Sequence, residues 1–232
     1  VTGPPLIDLS GVVKQSAALR SLRVQSLSVA AGDRLVLSGF DAEAAEMLVH
    51  LVTGAALPDT GSIRIAGRDT REVATDREWL ASLDRFGLVT ERAILLDHLS
   101  VRANLALPLT LSIDPMAPDV RRAADALAEA VGLPAGRLDD RASSLDPLDR
   151  VRVHLARAVA LGPELVILEH PTARLAGAAS ETFGRCLVRV ADARQIGWLA
   201  ISEDARFAAA VGGRRLRLRP STGVVATPGW FR

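Results

Sequence analysis

Two ionisable residues, Glu169 and His170, end the apolar run Leu165-Val166-Ile167-Leu168 and precede Pro171 and Thr172. A short apolar run bounded in this way predicts a buried parallel strand that delivers chemistry to the edge of a sheet. A carboxylate beside an imidazole can work as an acid–base pair, hold a cation or close a charge-assisted hydrogen bond. Glu203 stands in the same place after a second such run, 197–202. If the two strands are neighbours, His170 and Glu203 are expected to hydrogen-bond across their ends. Glu169, His170 and Glu203 are also ligand types that suit a metal. No dedicated spacing supports that reading, and no metal is expected.

A second group of carboxylates, Asp41, Glu43 and Glu46, follows the β-rich run 34–39. It crowds the start of a segment in which Ala44, Met47, Leu48 and Leu51 share one helical face. Carboxylates there complement the helix macrodipole. They also repel an incoming anion, by roughly 4 kcal/mol for like charges about 4 Å apart at an effective dielectric of about 20. An ordinary capped helix is expected here rather than a ligand site. The stretch Leu145-Asp146-Pro147-Leu148-Asp149 repeats the pattern, with an Asp N-cap, a proline at the first helical position and another acid in the first turn.

The elements that must position these groups alternate. β-rich runs at 6–9, 23–29, 34–39, 62–66, 86–89, 165–169, 197–202, 214–219 and 223–227 enclose helical segments at 41–52, 178–191 and 204–211. Such alternation predicts a mostly parallel α/β sheet. Residues 90–145 carry no β signal and read as a helical insertion. Arg215, Arg217 and Arg219 share one strand face, which predicts a solvated edge strand rather than a nucleic-acid stripe. His50, His98 and His154 are scattered and read as packing or surface. Trp230-Phe231 is a candidate partner surface.

At 232 residues and 49% apolar content, one domain, or a core plus a subdomain, is expected. A net charge of +1 argues neither for nor against nucleic acid. No apolar run reaches the ~18 residues of a membrane span. No secretory leader is expected, and the start at Val1 rather than Met leaves the natural start open. Cys186 is alone, so a reducing compartment and a packed thiol are expected.

In order and spacing these landmarks resemble the ATP-binding cassette ATPases, the nucleotide-binding subunits of ABC transporters, over nearly the whole chain. "LVTGAALPDTGSIRIAGRD" is similar to the family's segment after its phosphate loop, and "HLSVRANLALPL" to the start of its helical subdomain. "RVRVHLARAVALGPELVILEHPTARL" resembles the signature helix running into the Walker B strand. "LLDHLSVRANLALPL" and "EAVGL" resemble the lipid- and lipoprotein-export branch. The resemblance implies an α/β fold, a P-loop NTPase (RecA-like) core with a mixed or parallel sheet plus an inserted α-helical subdomain. One ABC-type ATPase domain would span 1–232, its core at 1–89 and 146–232 and its helical subdomain at 90–145.

The resemblance places the family's ATP-site positions on Gly39, Ala44, Ala45, Glu46, Glu91 and Glu169. The general-base and switch positions fall on His170 and Glu203. A phosphate loop reads G-x-x-x-x-G-K-[ST], its amides and lysine holding phosphates and its hydroxyl holding magnesium. Here the second glycine is Ala44, the lysine is Ala45 and the hydroxyl residue is Glu46. Lys14 is the only lysine, so no neighbour substitutes. The family's L-S-G-G-Q becomes Leu145 to Asp149, its hinge glutamine Glu91 and its Walker B aspartate Glu169. The general-base glutamate becomes His170, the switch histidine Glu203, and S-A-L-D becomes Ala173-Arg174-Leu175-Ala176. The adenine-stacking aromatic expected near Val13 is missing, since the chain has no tyrosine.

A non-catalytic subunit is therefore expected, with no cofactor, no catalytic residue and a structural or regulatory role. The family implies a membrane permease as partner, docked on the helical subdomain and the apolar stretch Ala93 to Leu96. A competent ATPase subunit or a second copy would complete the dimer, and the site of work would be cytoplasmic, peripheral on the inner face of the cell membrane. Two alternatives stay open. One is an active or weakly active ATPase using ATP and magnesium. The other is a free-standing scaffold or regulator on the same fold.

Overall fold

Alternating burial along the first strands explains their pairing. In β1 (Ile7–Lys14) and β2 (Leu22–Val29), Ile7, Leu9, Val12, Val24, Leu27 and Val29 turn inward and polar neighbours turn out. The two pair antiparallel, and β1 also pairs antiparallel with β4 (Thr60–Ile65), which carries the short β5 (Arg68–Asp69). The result is a four-stranded sheet of order β2-β1-β4-β5. The structure, a computed structural model, describes residues 4–15, 21–90 and 92–228.

The second sheet is built from strands without alternation. β3 (Arg34–Ser38), β7 (Leu165–Glu169) and β8 (Gly197–Ile201) are apolar on both faces, as central parallel strands require. With β6 (Phe86–Val89), β9 (Arg214–Arg219) and β10 (Val224–Ala226) they form the order β10-β9-β3-β8-β7-β6. Only the β9–β10 pair is antiparallel.

Helices cover both faces of this sheet. α1 (Ala42–Val52) lies between the sheets, where Leu48 and Leu51 pack with Leu35, Leu37, Ile63 and Ile201. On the other face, α3 (Val101–Ala106), α4 (Pro118–Val131), α5 (Pro147–Ala158), α6 (Ala178–Arg194) and α7 (Ala205–Val211) share a core with Val166, Leu168 and Trp198. α4 starts on a proline and stops at Gly132 in the left-handed conformation, a common pairing of start and stop signals. Cys186 is buried and its thiol donates to the Val131 carbonyl, as expected of a packed thiol. Among the described residues no helix is long and apolar enough to cross a membrane.

The observed elements refine the sequence reading at three points. The alternation that predicts one parallel sheet holds for the six-stranded sheet, while the runs at 6–9, 23–29 and 62–66 build the separate antiparallel one. Helix α2 (Asp76–Leu83) is not announced by periodicity because none of its residues is buried; Thr75 caps it and polar contacts hold it. β9 is not an edge strand. It pairs with β3 on one side and β10 on the other, with its arginines outward and Leu218 in the core. Trp230 and Phe231 lie outside the described residues.

Candidate functional site

Parallel strands of one sheet end at one edge, and that edge is where open α/β sheets hold ligands. The ends of β3, β7 and β8 bring Gly39, Glu169-His170 and Ser202-Glu203 together there. Gly39 has φ of 85°, and a Cβ on it would lie 2.3 Å from the Leu218 carbonyl oxygen. Only glycine fits this close passage of β3 against β9.

Just three residues separate β3 from α1, because α1 already begins at Ala42. Asp41 is its N-cap, its carboxylate accepting from the Ala44 amide at 2.8 Å and its carbonyl from the Ala45 amide at 2.9 Å. Amides that a phosphate loop turns outward are here engaged in the first turn of a helix. The Gly39 amide is engaged too, donating to the Glu203 carboxylate. Ala44, Ala45 and Glu46 thus lie inside a regular helix.

Glu46 and Glu169 are joined by a residue that sequence reasoning missed. Arg92 donates from Nη1 and Nη2 to the two carboxylate oxygens of Glu169 at 2.9 and 2.6 Å. The same Nη1 lies 3.2 Å from Glu46. Glu169 is only 6% exposed, and this bidentate pairing gives its carboxylate two charge-assisted hydrogen bonds. Nothing in "TERAILL" announces it, since the partners of Arg92 lie far away in the chain, Glu169 at a separation of 77 residues. Glu91, its neighbour, lies outside the described residues.

The expected His170–Glu203 hydrogen bond is not the arrangement found. His170 sits at φ 42°, a left-handed conformation that histidine tolerates better than most residues. Its amide donates to the Ile201 carbonyl at 2.9 Å, while its Nε2 is buried without a hydrogen-bond partner among the described residues. Glu203 turns to Gly39 instead, because an outward-facing amide at the end of β3 offers it a fixed donor. Next to it, Asp204 caps α7 through the Arg206 and Phe207 amides. Burial opposes its charge, and hydrogen bonds from Ser180, Thr172 and those amides outweigh it, holding the carboxyl below its usual range.

The start of α5 follows expectation. Asp146 accepts from the Asp149 amide at 2.9 Å, Pro147 takes the first helical position, and Asp149 pairs with Arg152 at 2.9 Å. Behind the Arg92 contact, a cavity of about 450 Å³ opens between the segment after β6, α5 and the end of β7. Its walls include Leu95, Leu145, Val151, His154 and His170. Burial, reinforced by Arg157, Arg150 and Arg174, lowers the His154 pKa to about 4, so its imidazole is neutral. Among the described residues no group of three or more His, Cys, Asp and Glu side chains could hold a metal.

A family model described as "ABC transporter" matches residues 22–173. Of curated relatives, the macrolide export ATP-binding/permease protein MacB 1 of Aeromonas hydrophila subsp. hydrophila is 31% identical over 176 residues, 74% of this chain and 27% of its own length. The sulfate/thiosulfate import ATP-binding protein CysA of Synechococcus elongatus is 34% identical over 166 residues, 71% of this chain and 46% of its own. The chain thus spans less than half the length of these relatives. Among solved structures, dimeric MJ0796, a bacterial ABC transporter cassette, superposes with a TM-score of 0.77 at 20% identity, covering 94% of this chain and 96% of that one. CbiO1 from Clostridium perfringens, part of the ABC transporter complex cbiONQ, gives 0.78 at 15% identity, covering 96% and 87%. The fold is therefore that of an α/β P-loop NTPase cassette, and the chain belongs to the ABC transporter family.

Proposed function

We propose that this chain is a non-catalytic cassette, one that keeps the ABC fold and a partner surface but neither binds nor hydrolyses ATP. One observation carries the reading: the guanidinium of Arg92 lies between Glu46 and Glu169. In P-loop NTPases magnesium is held by the phosphate-loop Ser/Thr and the Walker B aspartate. By the motif alignment those two positions are Glu46 and Glu169, so the place for the metal is filled by a side chain.

The residues in place do not fit magnesium triphosphate. Position 45, where a lysine would neutralise the terminal phosphates, is Ala45. The amides of Gly39, Ala44 and Ala45 are engaged by Glu203 and Asp41. Asp41, Glu43 and Glu46 add negative charge to the same helix start. His170 stands at the general-base position, with its Nε2 buried. The relatives above carry ATP-binding names; it is this local chemistry that supports a different role here.

The role is then structural or regulatory, beside a membrane permease on the inner, cytoplasmic face. The helical part at 90–145 is the surface we assign to that partner. Ile94, 74% exposed, and Leu96, 37% exposed, make its apolar point. A second copy or a competent ATPase subunit would occupy the dimer face. Thermal unfolding with and without millimolar Mg-ATP tests the reading. Ligand at 100 times its dissociation constant adds about 2.7 kcal/mol, several degrees for a domain of this size. No shift is expected, and a saturable shift would sink the proposal.

A further inference from the structure

Apolar side chains that border a cavity instead of closing on one another keep surface that a ligand can cover. Behind the end of β7, Val89, Leu95, Leu145 and Val151 are each at most 8% exposed and still line the cavity of about 450 Å³. Pro171 and Leu175 extend this apolar wall. The volume lies within the range of about 300–1,000 Å³ typical of small-molecule sites.

Two imidazoles interrupt the apolar lining. His170 leaves the strand period at φ 42°, with its amide engaged by the Ile201 carbonyl. Its Nε2 is buried and meets no hydrogen-bond partner among the described residues, a cost that a polar group on a ligand would remove. His154 lines the same cavity from α5. The charges that act on it, Arg157, Arg150 and Arg174, are all positive. Both carboxylates on the lining are paired, Glu169 with Arg92 at 2.6 Å and Asp97 with Arg150 at 2.7 Å. The field at His154 therefore favours an anion. The start of α5 does not supply its partners, because Asp146 holds the Asp149 amide and Pro147 has no amide hydrogen.

We infer that this cavity is a binding site for a compact amphipathic carboxylate. Its short apolar chain would lie against Val89, Leu95, Leu145 and Val151, and its carboxylate would accept from His170 and His154. An imidazole donates from Nε2 when that nitrogen carries the ring proton, so the buried Nε2 of His170 gains the partner it lacks. The binding step is independent of whether the chain uses ATP. A consequence for the membrane partner rests on the reading above. The segment after β6 forms one wall of the cavity and carries exposed Ile94, so a bound acid would steady the surface assigned to that partner.

The test is isothermal titration calorimetry of the natural chain with octanoate and with 1-octanol, its neutral counterpart of equal length, without nucleotide. Octanoate should bind saturably, one molecule per chain, and 1-octanol on the order of tenfold more weakly. His170→Asn keeps a residue that tolerates the left-handed backbone and removes the imidazole, and should weaken octanoate on the order of tenfold. Ala93→Trp fills the cavity from its partly exposed rim and should abolish binding; it serves if the His170 variant does not fold. No saturable binding, or binding that neither variant weakens, would overturn the site. Equal affinity for octanoate and 1-octanol would overturn the carboxylate assignment. Each result stands apart from the Mg-ATP melting experiment, since no nucleotide is present.

Discussion

His154 and Gly39 show how single residues answer to their surroundings. His154 is neutral because burial and three arginines, Arg157, Arg150 and Arg174, disfavour the imidazolium. Its folded pKa of about 4 lies below the ordinary 6.5, so below that value the unfolded chain binds more protons than the fold. Stability from this group is complete above about pH 6.5 and is lost as pH falls towards 4. At pH 5 the loss should reach about 1–2 kcal/mol. Urea unfolding at pH 7 and 5 should show it, with His154→Gln flattening the dependence by that amount. Gly39 is constrained by shape rather than charge. Gly39→Ala must force a Cβ towards the Leu218 carbonyl at a positive φ, and a loss of about 2–3 kcal/mol is expected in the same assay.

At the scale of the element, two helix starts stand out because their caps are side chains of the same type in the same geometry. Asp41 and Asp146 each accept an amide three residues on, at 2.8 and 2.9 Å. Asp41→Ala and Asp146→Ala should each cost about 1 kcal/mol, read as a lower urea midpoint with an unchanged slope. Both caps were legible in the primary structure, since Asp before an apolar-periodic run and Asp-Pro are helix-start signals. The early start of α1 at Ala42 was legible for the same reason. α2 was not, because a helix with no buried face carries no apolar period to read.

Across the whole molecule, the sheet and the helices α3 to α7 share one core, and Phe183 sits at the centre of it, fully buried with its ring 6.0 Å from that of Phe207. Phe183→Ala should cost about 3–5 kcal/mol. If the core is continuous, circular dichroism and tryptophan fluorescence should report one coincident unfolding transition. Separate transitions would mean that the helical layer unfolds by itself.

What the sequence determined alone was the order of the strands, the helix caps, and the residue types that stand at Ala44, Ala45, Glu46 and Leu145 to Asp149. These are local or compositional properties: periodicity, turn chemistry and residue type are all read within a few positions of the chain. The parallel end of β7 beside β8, which brings Glu169-His170 to the edge where Glu203 stands, was legible too, because continuous apolar runs have few other places to go. What only the tertiary structure decided was who pairs with whom at that edge. Glu203 takes the Gly39 amide rather than His170, and Arg92 closes over Glu46 and Glu169. Those choices depend on charges and donors from distant parts of the chain meeting at one point, and a contact of that kind leaves no periodicity behind. β9 lies inside the sheet rather than at its edge for a related reason: outward arginines satisfy an exposed face, and only backbone pairing says whether a further strand lies beyond.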